Sequence, residues 1–426
     1  MNIFRSLFTH GATIILAATV ISGVSGYVVT GVVARILGPA MYGEFAVFWA
    51  ALYLVIGTLA GIQQEVTRAA QPRRDEVVKD VAGANARTFA LVVCACVVLA
   101  LIAVGFLAGE QFFPSSAAMS TFVVLAGGAG SYVVIAVLSG VLYGLSMWTV
   151  IGLMTSLDAV IRLLFVAVVL ILHGGILWLE IAVAAPFIVV PLALWPLIRG
   201  KAMGRYALDV QFGQLVWNTA RTLIASASLA VLISGFPLIL GATSHSEPAA
   251  EVGTIILAIT LTRAPLTVTS LALQSYFVVM FKNRLEDPRK FWGLLGTLTL
   301  WVSVAALALA ALVWWCGAPI FRAVFGRGYD IPGSTLAMLV GSAGIVALLA
   351  LCGAALLVRG QHVSYAASWV VAAVITVVLM LTGLPIIERV VVSLVAGPLI
   401  GLIFQILAIR VRWRDVNLSR QRVFSE

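Results

Sequence analysis

The chain has 426 residues, of which 62% are hydrophobic and only 10% charged, and its mean hydropathy is +1.11. Soluble domains carry roughly 25% charged residues and about 45–50% apolar ones. That contrast excludes a soluble fold, a disordered chain, a disulfide scaffold and a nucleic-acid-binding protein, and leaves lipid as the solvent.

A hydrocarbon core about 30 Å thick needs about 20 apolar residues per helix. Twelve stretches qualify: 11–34, 44–63, 88–108, 118–142, 148–172, 176–198, 218–241, 252–278, 292–316, 334–357, 364–382 and 387–409. The first is too long for a cleaved signal peptide. The net charge of +9 is read by position. With the N-terminus in the cytoplasm, twenty of the 26 Lys and Arg residues fall in inner loops and four in outer ones: Arg35, Arg322, Arg327 and Arg389. Arg162 and Arg263 fall inside spans. Such a bias predicts both termini inside and an even number of spans. Trp148, Trp178, Trp195, Trp217, Trp292 and Trp315 lie near span ends, where indole rings anchor at the interface. The basic tail is placed against anionic head groups.

The inner loops at 64–87 and 279–291 each follow the second span of a six-span half, and the connector 199–217 lies near the midpoint. Ile36-Leu37-Gly38 followed by Tyr42-Gly43 is echoed faintly by Ile239-Leu240-Gly241 followed by Val252-Gly253. The expected organisation is a six-helix lobe at 1–198, a cytoplasmic connector at 199–217, a second six-helix lobe at 218–409 and a basic cytoplasmic tail at 410–426. Six spans per half makes the repeat parallel, about an axis along the membrane normal. The polar stretches are too short to bury a catalytic core.

Cys94, Cys96, Cys316 and Cys352 lie in apolar spans, and Cys94 and Cys96 point in different directions on a helix. His10, His173, His245 and His362 are scattered over span ends and loops. No spacing suits a metal, and Gly200-Lys201 lacks the rest of a phosphate-binding loop. Neither metal, cofactor nor catalysis is expected. What remains is charge at membrane depth, which costs about 2.5–3.5 kcal/mol per residue on insertion scales. Asp158 and Arg162 are four apart in the fifth span and share a helix face, so they either neutralise one another or form a polar patch facing a cavity. Arg263 sits in the middle of the eighth span, followed by Pro265, with no acid within a turn. It either faces a cavity or pairs with a neighbouring span such as that of Asp158. Arg35 ends the first span at the outer face, where it can snorkel. Gln63, Gln64, Glu65 and Arg68 close the second span, and Gln274 holds a similar place in the eighth. The spacings Gly57/Gly61, Gly140/Gly144 and Gly397/Gly401 suit close helix packing. Pro186, Pro191 and Pro196 are expected to break up the sixth span.

Arg35-Ile36-Leu37-Gly38-Pro39-Ala40-Met41-Tyr42-Gly43-Glu44-Phe45 resembles the R-x-L-G-P-x-x-Y-G-x-[FY] signature of the polysaccharide-transport, Wzx-like branch of the MOP flippase superfamily. Leu261-Thr262-Arg263-Ala264-Pro265-Leu266 is similar to a T-R-x-P segment of actinobacterial members. The excess of Arg over Lys, with abundant Ala, Val and Gly, suits a GC-rich genome of that kind. The resemblance implies an all-α polytopic protein of twelve transmembrane helices, in two six-helix lobes around a central cavity open alternately to each side. It implies an inner-membrane flippase for polyprenyl-linked sugars. Gly38, Pro39 and Gly43 would then be structural, shaping the turn and letting helices approach.

The expected function is translocation of a polyprenyl-(pyro)phosphate-linked saccharide for cell-wall or surface polysaccharide synthesis. Arg263, helped by Arg162, would attract the phosphate, since guanidinium suits its geometry. Asp158 would tune Arg162 or couple an ion, and Arg35, Gln63, Gln64 and Gln274 would line the path. The expected partners are the lipid-linked glycan, membrane lipids and the glycosyltransferases or polymerases of the pathway, with no nucleic acid. The rivals are a multidrug or metabolite exporter of the same superfamily and a non-transporting scaffold of a cell-wall synthesis complex.

Overall fold

The computed structural model describes residues 10–70, 84–113, 118–202, 208, 210–244, 246–285 and 287–423. Of these, the side chains at 10–12, 199–202, 225, 228–229, 232–233, 264–276, 279, 362 and 412–423 fall outside the description. The basic loop 71–83, most of the basic tail, His10, His245 and His362 thus lie beyond what is described of the side chains.

Each of the twelve apolar stretches lies in helix, apart from at most two residues at an end and the break at Ala185 in the sixth. We number the helices α1 (His10–Ala69), α2 (Ala86–Ala108), α3 (Ala118–Gly144), α4 (Trp148–Ile171), α5 (Ile176–Ala184) and α6 (Pro186–Ala202). There follow α7 (Phe212–Thr243), α8 (Ala249–Lys282), α9 (Pro288–Phe325), α10 (Gly333–Val358), α11 (His362–Met380) and α12 (Ile386–Val423). Lipid offers no partner to an exposed backbone group, so a chain this apolar must close its hydrogen bonds within each segment. Nine helical stretches among the described residues are long and apolar enough to cross a bilayer, and one of them, Thr13–Ala69, is 57 residues long, enough for two crossings. The protein is an all-α, multi-pass membrane protein.

The two halves of α1 meet at Gly38, whose φ of 74° and ψ of 173° fall where only glycine is at ease. Pro39 follows as the first residue of the second half, where its missing N–H has no helical partner to lose. The Leu-Gly-Pro signature is thus the hinge that turns one long helical run into two spans. Its faint echo does not repeat the device, because Gly241 stays inside α7 and packs against Val47.

Two expectations about helix ends are corrected. Only Pro186 interrupts the sixth span, at the joint between α5 and α6, whereas Pro191 and Pro196 sit inside α6. Membrane helices tolerate this because neighbouring groups take up the freed carbonyls. The polar tail after 409 continues α12 as far as Val423, and α9 runs nine residues beyond the predicted 316. Hydropathy ends a span where charge begins, but a helix ends only where its hydrogen bonds do. At the other end of α9, Asp287 caps the helix, accepting from the Arg289 and Lys290 amides. The amide and ammonium of Lys290 hold its carboxyl below the usual carboxylate range.

The chain divides into two compact units, Met1–Ala242 and Thr243–Glu426. In the first, α1 packs on α3 and α4, and α2 on α3. Residues 208–215 join it too: Ala84 N donates to Val210 O at 2.8 Å, Leu208 N donates to Ala84 O at 2.9 Å, and Leu208, Val210 and Leu215 are buried with Ile62, Val66 and Phe89. In the second unit α10 is central, packing on α8, α9 and α12, while α11 packs on α12.

The glycine pairs lie at helix contacts. A Cβ on Gly61 would meet the Thr222 backbone at 2.7 Å, and one on Gly140 would meet Val66 at 2.7 Å. At Gly397 it would lie 2.0 Å from Thr376 Oγ1 and 2.7 Å from Ala372 O. Gly61→Ala and Gly397→Ala are expected to lower stability by about 1–3 kcal/mol through overpacking. Gly38→Ala, with open space around it, should cost about as much through backbone strain alone. Thermal unfolding in detergent checks this, with Gly23→Ala, in open space and helical backbone, as the variant that keeps wild-type stability.

Candidate functional site

In the first unit the charged pair forms as its spacing predicts. Asp158 and Arg162 stand about 15 and 21 Å along α4 from Trp148, near its middle. Arg162 Nη2 donates to both carboxylate oxygens of Asp158, at 2.9 and 2.8 Å. The rest of the guanidinium is taken up as well. Nε donates to the Val183 carbonyl at 3.2 Å, and Nη1 donates to the Tyr53 hydroxyl. The Tyr53 and Phe187 rings stand 5.7 and 5.0 Å from the guanidinium carbon. Side chains from α1, α4 and α6 and a carbonyl of α5 therefore converge on one cation. Four of its five N–H groups have partners, and two rings offer cation–π attraction.

The two charges are unequally accessible. The Arg162 side chain is 7% exposed and that of Asp158 20%. Beside the carboxylate, Tyr53 stacks on Trp49 at 5.1 Å and 16°, and both rings are half-buried. The group this island leaves accessible is thus the acid, with an aromatic wall.

Arg263 is the opposite case. It lies in the second unit, about 21 Å along α8 from Ala249, with about 28 Å of helix still to follow. Its side chain is half-buried, its Nε is out of contact with solvent, and it makes no hydrogen bond or ion pair among the described residues. The described hydroxyls beside it are engaged with their own helix: Thr260 donates to Ile256 O and Thr262 to Ala258 O, at 2.8 and 2.6 Å. The side chains from 264 to 276 lie outside the described residues, and Gln274 with them.

The remaining candidates divide by place. Arg35 is exposed just before the Gly38 hinge, Gly38 and Pro39 form that hinge, and Gly43 is buried a turn later. Gln63 is half-buried and Gln64 exposed near the end of α1. His173 has a φ of 53° and turns the chain between α4 and α5.

Three polar groups are buried on partners that the sequence reasoning did not foresee. Glu180 on α5 is 3% exposed and accepts from the Thr121 hydroxyl at 3.1 Å. Glu65, beside the two glutamines, is 4% exposed and accepts from Arg68 and, at 3.1 Å, from Asn218 Nδ2 of α7. Arg389, assigned to an outer loop, is 7% exposed; it donates to Thr243 O at 3.3 Å and Ser244 Oγ at 2.7 Å, at the end of α7. All three sit within five residues of a helix end, where sequence predicts contact with water. Only the partner helix turns them inward.

Breaking the buried pair leaves an uncompensated charge. Asp158→Ala is expected to cost about 3 kcal/mol, and Asp158→Leu with Arg162→Met to recover most of it. Unfolding of the two single variants and the double variant in detergent measures the coupling.

No family model matches the chain. It is 33% identical over 395 residues to "Uncharacterized protein Mb3654" of Mycobacterium bovis, covering 90% of this chain and 88% of that one. "Uncharacterized protein Rv3630" and "Uncharacterized protein Rv1510", both of Mycobacterium tuberculosis, are 32% identical, over 90% and 92% of this chain and 88% and 90% of theirs. Among solved structures, an inward-facing multidrug resistance MATE family transporter of the MOP superfamily aligns with a TM-score of 0.71, at 15% identity, over 89% of this chain and 93% of that one. The lipid II flippase MurJ in an inward closed conformation aligns with a TM-score of 0.72, at 12% identity, over 93% of this chain and 87% of that one. The fold is that of MOP-superfamily transporters.

Proposed function

Since the chain belongs to the family of the mycobacterial proteins Mb3654, Rv3630 and Rv1510, and has the fold of MOP-superfamily transporters, we propose that it is a flippase for an anionic lipid-linked saccharide. Its passenger is a polyprenyl-(pyro)phosphate-linked sugar of cell-wall or surface polysaccharide synthesis. It works without catalysis, in the plasma membrane, with both termini in the cytoplasm and by alternating access.

One observation carries this reading: Arg263 is a guanidinium at membrane depth with no partner among the described residues. An unpaired charge in hydrocarbon is too costly to keep for packing alone. Arginine holds its charge at any accessible pH and presents a planar fork that fits a phosphate. Arg162 has most of its donors engaged. We therefore assign the phosphate to Arg263, and to the Asp158–Arg162 pair the holding together of α1, α4, α5 and α6 beside the path. Ion coupling, if the carboxylate takes part, belongs to Asp158, the more exposed partner.

In proteoliposomes, Arg263→Ala is expected to slow flipping of a labelled polyprenyl-phosphate sugar at least tenfold, the scale of one charge-assisted hydrogen bond. Arg263→Lys should keep part of the rate, since it keeps the charge without the fork. Flipping at the wild-type rate in Arg263→Ala would sink the assignment.

The exporter reading has one observation in its favour. The 20%-exposed Asp158 beside the Trp49–Tyr53 stack is the kind of wall that takes a flat organic cation. Efflux of such cations that is lost in Asp158→Asn and kept in Arg263→Ala would favour it.

A further inference from the structure

We propose that the turn between α9 and α10 is a binding site for the phosphate head group of an anionic phospholipid, in the leaflet opposite the basic loops. Positive charge is scarce on that face. Of the four basic residues that the loop pattern places there, two lie here: Arg322 in the last turn of α9 and Arg327 just after it. They line an open cleft of about 470 Å³ together with Ala323 and Asp330.

The charges in the cleft do not cancel. Arg322 donates through Nε to Asp330 at 3.1 Å and through Nη2 to the same oxygen. Arg327 is exposed and makes no hydrogen bond or ion pair among the described residues. Two guanidinium groups against one carboxylate leave a net positive charge in a concave place.

The turn is held in shape from beneath. Tyr329 is 1% exposed and meets Phe321 and Phe325 edge-on, at 6.2 and 6.0 Å between ring centres. Gly326 ends α9 with a φ of 104° and turns the chain toward Arg327. A phosphate would therefore find both arginines on a fixed floor and would not have to order a loose loop.

Depth selects a lipid as the source of that phosphate. No residue of the most apolar window of α9 is fully buried, so the side of the helix turned away from α10 is left to acyl chains. Trp314 and Trp315 are 67% and 84% exposed, as rings at the membrane interface are. Arg322 follows Trp315 by seven residues, about 10 Å of helix. The head-group layer adds roughly 5–8 Å beyond the hydrocarbon on each side, and an arginine side chain bridges the difference by reaching back. The site is independent of Arg263 and of what the protein transports.

The test uses the full chain in phosphatidylcholine vesicles containing a minority of photoactivatable phosphatidylglycerol, with cross-links mapped by peptide mass spectrometry. Capture is expected on the peptide spanning 320–330. Arg327→Gln should lower it roughly fivefold, the scale for one arginine at an anionic surface. Asp330→Asn should raise it, because it removes the carboxylate that competes for Arg322. Arg284→Gln, the same change of charge in a basic loop, should leave capture on this peptide unchanged. Equal capture from photoactivatable phosphatidylcholine, no loss in Arg327→Gln, or a loss in Asp330→Asn would overturn the proposal. So would displacement by millimolar inorganic phosphate, which would make the site one for free phosphate.

Discussion

A charge inside a bilayer has to be met by the protein or by something the protein carries, because acyl chains cannot solvate it. This protein deals with its two mid-membrane arginines in opposite ways. Around Arg162, helices α1, α4 and α6 each bring a side chain and α5 a carbonyl, so that a cation organises four helices. Around Arg263, Thr260 and Thr262 of its own helix are bound back to that helix, and the guanidinium has no partner among the described residues. The first arrangement is a structural solution to a buried charge. The second leaves the charge without a partner among the described residues, and our flippase proposal rests on it.

The same constraint acts on the backbone. No hydrogen bond can be left open in hydrocarbon, so turns are confined to places where the chain can close them cheaply. At Gly38 and Pro39 this takes one residue that tolerates a positive φ and one that has no N–H to satisfy. At Ser146 and His173 the chain turns within a few residues through the left-handed region. Glycines such as Gly61, Gly140 and Gly397 let helices approach until a Cβ would meet the neighbouring helix. Close packing matters here because oil outside the protein gives no hydrophobic drive between helices.

The interfaces between lipid and water complete the picture. On α9, the exposed Trp314 and Trp315 near the predicted span end suit the depth at which hydrocarbon gives way to head groups. Beyond that depth the arginines of the α9–α10 turn meet a layer rich in phosphate. We place a lipid contact where charge, cleft and depth coincide, away from the two mid-membrane arginines.

The sequence by itself determined the solvent and the number and position of the apolar stretches, because hydropathy is local, and its resemblance to a known family pointed to a turn at Gly38 and Pro39. It also determined the Asp158–Arg162 pair, because residues four apart on a helix share a face. It did not determine how that pair is used. That Tyr53, Phe187 and the Val183 carbonyl close around Arg162, and that nothing described closes around Arg263, depends on which helices lie beside α4 and α8. The same holds for Glu65, Glu180 and Arg389, which hydropathy assigns to interfaces and which partners distant in the chain bury. Only tertiary structure decides these, because burial of a polar group is a property of its neighbours and not of its place in the chain.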